Sequence, residues 1–260
     1  MIPLAQITQW RSTAPWPDDM QIEQDLILSR ILVDIFSNDL LRKELAFRGG
    51  TALHKLFISP AARYSEDIDL VRTSKGKIKP IIDTLRECLG SWLGEPKTKK
   101  TTNSFKLFFY FNPETSPSSK LRIKIEINIR ETFSILNRID KPYSVHSDWH
   151  SGTVNINTFQ LAEIVATKIR ALYQRSKGRD LFDLWLVLKE KDLSIEEAVT
   201  TFHRYMELEE NQVTPKEFEN NLQQKLAKPA FLDDISPLLS PRLLKKKAIS
   251  SLFQSLSVEN

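Results

Sequence analysis

Cysteine is almost missing. Cys88 is the only one in 260 residues, so no internal disulfide can form, and its place beside Ile81, Leu85, Leu89 and Trp92 on one stripe reads as core filling rather than nucleophile. Long apolar runs are missing too. No stretch of eighteen apolar residues occurs, and the start "MIPLAQITQW" lacks a charged segment followed by an apolar one. A membrane span is excluded and export is unsupported, so a cytoplasmic protein with no membrane partner is expected. Neither sign of charge dominates: 37 Lys and Arg face 33 Asp and Glu, a net of +4 with a pI near 9.0. That balance permits a polyanionic partner without demanding one. The apolar fraction of 41% excludes wholesale disorder.

Glycine is also scarce, with seven in all, yet two stand together in "FRGGTALHKLFISPAARYSEDIDL". Gly49 and Gly50 end a strand and open a short helix, so backbone can approach a ligand and free N–H groups can meet an anion. Thr51 adds a hydroxyl that either caps that helix or reaches a phosphate. Asp67 and Asp69 are one residue apart in the strand "SEDIDLV". Their carboxylates therefore leave the same face while Ile68 and Leu70 enter the core. Two like charges so close repel unless a cation lies between, and a small set of hard oxygen ligands suits Mg²⁺. Ser65 falls on the same face if the strand begins early, beside any phosphate bound there.

The remaining chain reads as alternating elements. Asp18 or Asp19 caps a helix over Gln21 to Asn38 whose buried face carries Ile22, Leu26, Ile27, Ile31 and Ile35. A helix starts around Pro80. "SFKLFFYF" and "KLRIKIEINIR" are strands, and in the second Leu121, Ile123, Ile125, Ile127 and Ile129 alternate with polar residues. Glu126 lies on its polar face and becomes a third acid if this strand pairs with that of Asp67 and Asp69; a salt bridge with Lys124 or Arg122 is the competing reading. From Phe159 onward the pattern is helical. "FQLAEIVATKIRALYQR" and "RDLFDLWLVLKEK" form a hairpin of helices, with Lys168 and Arg175 on an otherwise apolar stripe and Asp180 and Asp183 one turn apart on a nearly all-apolar helix. Buried cations need partners, so a Lys168 network with these acids is expected, either internal or turned toward the carboxylates. Ser194 with Glu197 reads as a capping box, Thr214 to Glu217 as another helix start, and "LLKKKAIS" as a solvated basic face.

"RGGTALHKLF", "RYSEDIDL", "KIEIN" and "ATKIRALYQRSKGRDLFDLW", in this order and spacing, resemble the AbiEii-type nucleotidyltransferase toxin family, which includes the MenT toxins. The resemblance implies an α+β fold: a polymerase-β-like nucleotidyltransferase core, a small mixed sheet with flanking helices, followed by a helical C-terminal region. Domains are expected over 1–150, the core with N-terminal helices, and 151–260, a helical domain completing the active-site cleft. It further implies a toxin of a toxin–antitoxin pair that adds nucleotides from an NTP to an RNA acceptor, the tRNA 3′ end, with Mg²⁺ at a two-metal site, Mn²⁺ as a substitute, and a cognate antitoxin as partner. Carried onto this sequence, Asp67, Asp69 and Glu126 would hold metal, Gly49, Gly50, Thr51, Ser65, Lys168 and Asp180 the nucleotide, and Lys168 and Asp183 would join the acids in catalysis. Two other readings of the same residues stay open: transfer to a protein hydroxyl or small molecule, and a non-catalytic nucleotide-binding module. The first forty residues match no motif of the family.

Overall fold

Strict alternation in 121–128 leaves one side of that strand aliphatic and the other charged, and the whole sheet is built around this division. The computed structural model describes residues 2–241; the basic cluster "LLKKKAIS" lies outside the described residues. The chain divides into two compact units between Phe159 and Gln160. In the first, the elements run α1 (Leu4–Trp10), α2 (Asp19–Ser37), α3 (Asp39–Glu44), β1 (Leu45–Arg48), α4 (Gly49–Leu56), β2 (Asp67–Arg72), α5 (Lys79–Leu93), β3 (Lys97–Lys100), β4 (Ser104–Phe111), β5 (Leu121–Asn128), β6 (Arg138–His146) and β7 (Ser151–Phe159).

The seven strands form one mixed sheet in the order β3-β4-β5-β2-β1-β7-β6. β2 runs parallel to β5, and β1 parallel to β7, while the other neighbours are antiparallel. Ile68, Leu70, Leu107, Phe109, Ile123, Ile125 and Ile127 are buried on one face, as the two-residue period requires. Asp18 caps α2 by accepting from the Met20 N–H at 2.8 Å. Ile22, Leu26, Ile27, Ile31 and Ile35 are all buried, as their spacing on one helix face leads one to expect.

The second unit is helical: α6 (Leu161–Gln174), α7 (Gly178–Glu190), α8 (Ile195–Leu208), α9 (Pro215–Leu226), α10 (Pro229–Asp233) and a single 3₁₀ turn over Ser236–Leu238. Thr214 and Glu217 form a complete, reciprocal capping box at α9. At α8 only half of the expected box exists, the Glu197 N–H donating to the Ser194 hydroxyl at 3.2 Å.

Three expectations are corrected. The division placed at 150/151 falls at 159/160, because 151–159 is strand β7 and belongs to the sheet. Arg175 does not share the buried stripe of α6; it follows the helix end and its side chain is half exposed. α7 is not apolar-buried all round, since Leu188 is exposed. Cys88 is half-buried, and burial pushes its thiol pKa up, the environment of a filler and not of an activated nucleophile.

Candidate active site

The chain leaves β1 at Arg48 and enters α4 through Gly49, whose φ of +85° is left-handed, a conformation glycine adopts without steric cost. A second constraint acts on the same residue. A Cβ at Gly49 would lie 2.5 Å from Asp69 Oδ2 and 3.1 Å from the Asp69 Cβ, so only glycine lets the carboxylate lie against the start of the helix. No side chain caps α4, which leaves its first-turn N–H groups available.

Asp67 and Asp69 project from the polar face of β2, both half-buried. The parallel register sets Asp67 beside Lys124 and Asp69 beside Glu126, and the antiparallel one sets Asp69 beside Arg48. Asp67, Asp69 and Glu126 are thus brought to adjoining strands on one face, as the sequence pattern requires. Their charges are balanced by lysines. Lys124 Nζ lies 3.0 Å from Asp67 Oδ2 and 3.0 Å from Glu126 Oε2, and Lys106 Nζ lies 3.0 Å from Glu126 Oε1. Burial alone would raise the Glu126 pKa, but these two ammonium groups hold it below the ordinary value. Burial likewise opposes the charge of Lys124, yet Asp67 and Asp69 raise its pKa.

Asp69 differs from its neighbours. Among the described residues it has no hydrogen bond or ion pair. Burial raises its pKa, with Lys124 and Arg48 lowering it and Asp67 and Glu126 adding to the rise. A carboxylate in this state is short of a cation. Asp67 and Asp69 together therefore fit a hard divalent ion, with water and phosphate oxygens completing its shell. The three-acid arrangement is not formed: among the described residues no group of three or more His, Cys, Asp or Glu side chains is placed to hold a metal ion. Lys124 stands where the acids would have to converge.

The hydroxyls expected at the phosphates are occupied. Thr51 is buried, donates from Oγ1 to the Asp67 backbone carbonyl, and its hydroxyl lies 2.8 Å from Ser65 Oγ. These contacts tie α4 to the first residue of β2, and so set the position of Asp67. Arg48 and Lys106 were not singled out from the sequence, whereas Lys124 was expected as a salt-bridge partner of Glu126 and is one. Period two in β5 was the available signal, since Lys124 is two residues from Glu126 on the same face.

In the second unit Lys168, Asp180 and Asp183 come together. Lys168 Nζ lies 3.2 Å from Asp180 Oδ1 and 2.8 Å from Asp183 Oδ2. Arg175 adds bonds to Asp180 of 2.7 Å from Nε and 2.9 Å from Nη2. Burial works against ionised Asp180, but Lys168 and Arg175 prevail and hold its pKa below the usual value.

A sheet with paired acids beside a glycine-led helix is the setting for chemistry on a nucleotide phosphate, and comparison with known families decides which. The family described as "Nucleotidyl transferase AbiEii toxin, Type IV TA system" matches residues 30–254. The chain belongs to the AbiEii family. It is a nucleotidyltransferase of a family of toxins from toxin–antitoxin systems. Its fold is similar to that of MenT4, a nucleotidyltransferase toxin of Mycobacterium tuberculosis H37Rv, at 13% identity and a TM-score of 0.61, covering 100% of this chain and 91% of that one. JHP933 of Helicobacter pylori is similar at 15% identity and a TM-score of 0.51, covering 94% of this chain and 97% of that one. No curated protein matches the chain by sequence comparison. AbiEii membership also removes the non-catalytic reading left open above.

Proposed function

We propose that this AbiEii protein transfers a nucleoside monophosphate from an NTP to the terminal 3′-hydroxyl of an RNA, with tRNA as acceptor and Mg²⁺ as metal. The product could no longer be aminoacylated, so translation stops until a cognate antitoxin in the same cytoplasm counters the toxin. One observation carries the reading: half-buried Asp69 has no partner, lies against Gly49 at an uncapped helix start, and stands beside Asp67 on the same sheet face.

In this reading Gly49, Gly50 and the first-turn amides of α4 hold phosphate oxygens. Asp67 and Asp69 hold Mg²⁺, or Mn²⁺ in its place, which when bound neutralises charge on the phosphates and on the leaving group. The acceptor oxygen bonds to the α-phosphorus, the bond from that phosphorus to the bridging oxygen of the β-phosphate breaks, and pyrophosphate departs. Glu126, kept ionised by Lys106 and Lys124, takes the proton of the attacking hydroxyl. A second metal would require Glu126 to exchange Lys124 for the ion. Thr51 and Ser65 act by fixing Asp67 rather than by touching phosphate. Lys168, Asp180 and Asp183 act as one buried ionic unit that holds the α6–α7 hairpin in shape.

Purified protein incubated with labelled NTPs and Mg²⁺, and separately with tRNA, total cell protein and aminoglycosides, tests the proposal. Label should enter tRNA and should disappear with Asp69→Asn. Label confined to protein or to the small molecules would overturn the choice of acceptor.

A further inference from the structure

The polar face that carries the acids does not end at them. Antiparallel register places Lys97 of β3 opposite Phe108 and Lys99 opposite Lys106 of β4, and β4 in turn places Phe108 opposite Lys124 and Tyr110 opposite Arg122 of β5. All lie on the face of Asp67 and Asp69, because cross-strand partners share a face. Lys97, Lys99, Lys120 and Arg122 are exposed, and Tyr110 is 39% exposed. The cations border the rings. Lys97 Nζ is 5.6 Å and Lys120 Nζ 5.2 Å from the centre of Tyr110, and the Arg122 guanidinium is 5.4 Å from that of Phe108.

A strand of sequence "KTKK" at a sheet edge buries nothing: all four residues of β3 are exposed. Charge alone protects such an edge from unwanted pairing, but it does not account for an exposed Tyr110 and a half-buried Phe108 set between the cations. Cations that track a backbone, interleaved with rings on which bases stack, are the chemistry of a single-stranded polynucleotide site. An acidic protein would gain from the charges but not from the rings. From β3 to β2 is three strand spacings, about 14 Å, the length of about four stacked nucleotides.

We infer that the β3-β4-β5 face is a docking surface for the single-stranded 3′ end of the RNA acceptor, with Tyr110 and Phe108 stacking bases and Lys97, Lys99, Lys120 and Arg122 meeting phosphates. It leads the terminal hydroxyl toward Asp67 and Asp69. This rests on the nucleotide-transfer reading above for its direction, though not for its binding.

The register supplies an internal control. Lys99 is on the docking face, whereas Lys100, its neighbour and opposite Phe105, is on the other. Anisotropy of a labelled short single-stranded RNA should show weaker binding by Lys99→Glu, with the slope of log affinity against log salt reduced by about 0.7 or more, and little change in Lys100→Glu. Tyr110→Ala should weaken binding by about 5- to 150-fold, the range for one lost stack. Equal losses in the two lysine variants, unchanged binding in Tyr110→Ala, or competition by polyglutamate as strong as by unlabelled RNA would overturn the surface. If wild type binds in this pattern yet labels no RNA, the surface stands and the RNA-transfer reading falls.

Discussion

Gly49→Ala tests the arrangement on which the site rests. The new methyl meets two separate penalties. The backbone there has φ +85°, which costs an L-residue about 1–2 kcal/mol. The methyl also lies 2.5 Å from Asp69 Oδ2 and 3.2 Å from its Cγ, an overlap comparable with overpacking a core, about 1–3 kcal/mol. Together the substitution should cost about 2–5 kcal/mol. The second penalty, but not the first, depends on the carboxylate. In the Asp69→Ala background the Oδ2 and Cγ atoms are gone and only the Cβ contact at 3.1 Å remains, so Gly49→Ala should cost little more than the backbone contribution of about 1–2 kcal/mol. Urea unfolding of the four proteins gives the coupling energy, expected at about 1–3 kcal/mol in the sense that the double variant is more stable than the sum of the singles. Additive losses would refute the view that Gly49 is needed to seat Asp69. A Gly49→Ala variant as stable as wild type would refute both contributions.

Asp69→Asn should stabilise the protein at neutral pH. Burial raises the Asp69 pKa above its ordinary 3.8, so the folded state binds protons more readily than the unfolded one and the wild type loses stability as pH rises through that window. The difference between wild type and variant, read from thermal melts, should therefore vanish below about pH 4, where both states are protonated, and grow as pH rises above it. Asp25→Ala should lower stability by about 3–5 kcal/mol: Asp25 accepts from Trp10 Nε1 at 2.9 Å and Trp16 Nε1 at 3.2 Å and pairs with Lys55 at 2.7 Å. An urea midpoint near that of wild type would show the network to be dispensable. Lys168→Met removes the shared cation of Asp180 and Asp183 and should cost a similar amount. Melting close to wild type with lost nucleotide transfer would instead place Lys168 on the nucleotide.

Elements whose own side chains declare a face were legible in the sequence. β5 was, because its aliphatics alternate, and so were α6 and α7. The placing of Asp67 and Asp69 on one strand face was legible for the same reason, period two; at Gly49 a close backbone approach was expected, and the left-handed φ was not. β3 was not, since "KTKK" carries no apolar residue, and it is a strand only because β4 offers it hydrogen bonds. The β6–β7 hairpin was hidden by Pro142 and by many polar residues. An edge strand tolerates both, and β6 is the edge. The N-terminal network was invisible because Asp25 finds Trp10, Trp16 and Lys55 only through tertiary packing.

Charge shows most sharply where a composition misleads. The net of +4 is mild, but the polar sheet face sorts its charges: Lys97, Lys99 and Arg122 on one side, with Lys120 close by at Tyr110, then Lys106, Lys124 and Glu126, then Asp67 and Asp69, with Arg48 beside Asp69. A mean over the chain erases that gradient, although a polyanion approaching the face would feel it, since fields act over about one Debye length rather than over a whole protein. The same sorting explains how three acids are tolerated on adjoining strands. Lys124 bonds both Asp67 and Glu126 and so relieves the repulsion that would otherwise oppose folding, while Asp69 is left as the acid without a partner. A cation entering the site would thus meet one unpaired carboxylate first, and would gain Asp67 only in competition with a lysine. If the pair holds a metal, its affinity and the stability of the fold would both depend on Lys124, whose contact with Asp67 becomes visible only when the register of β2 on β5 is known.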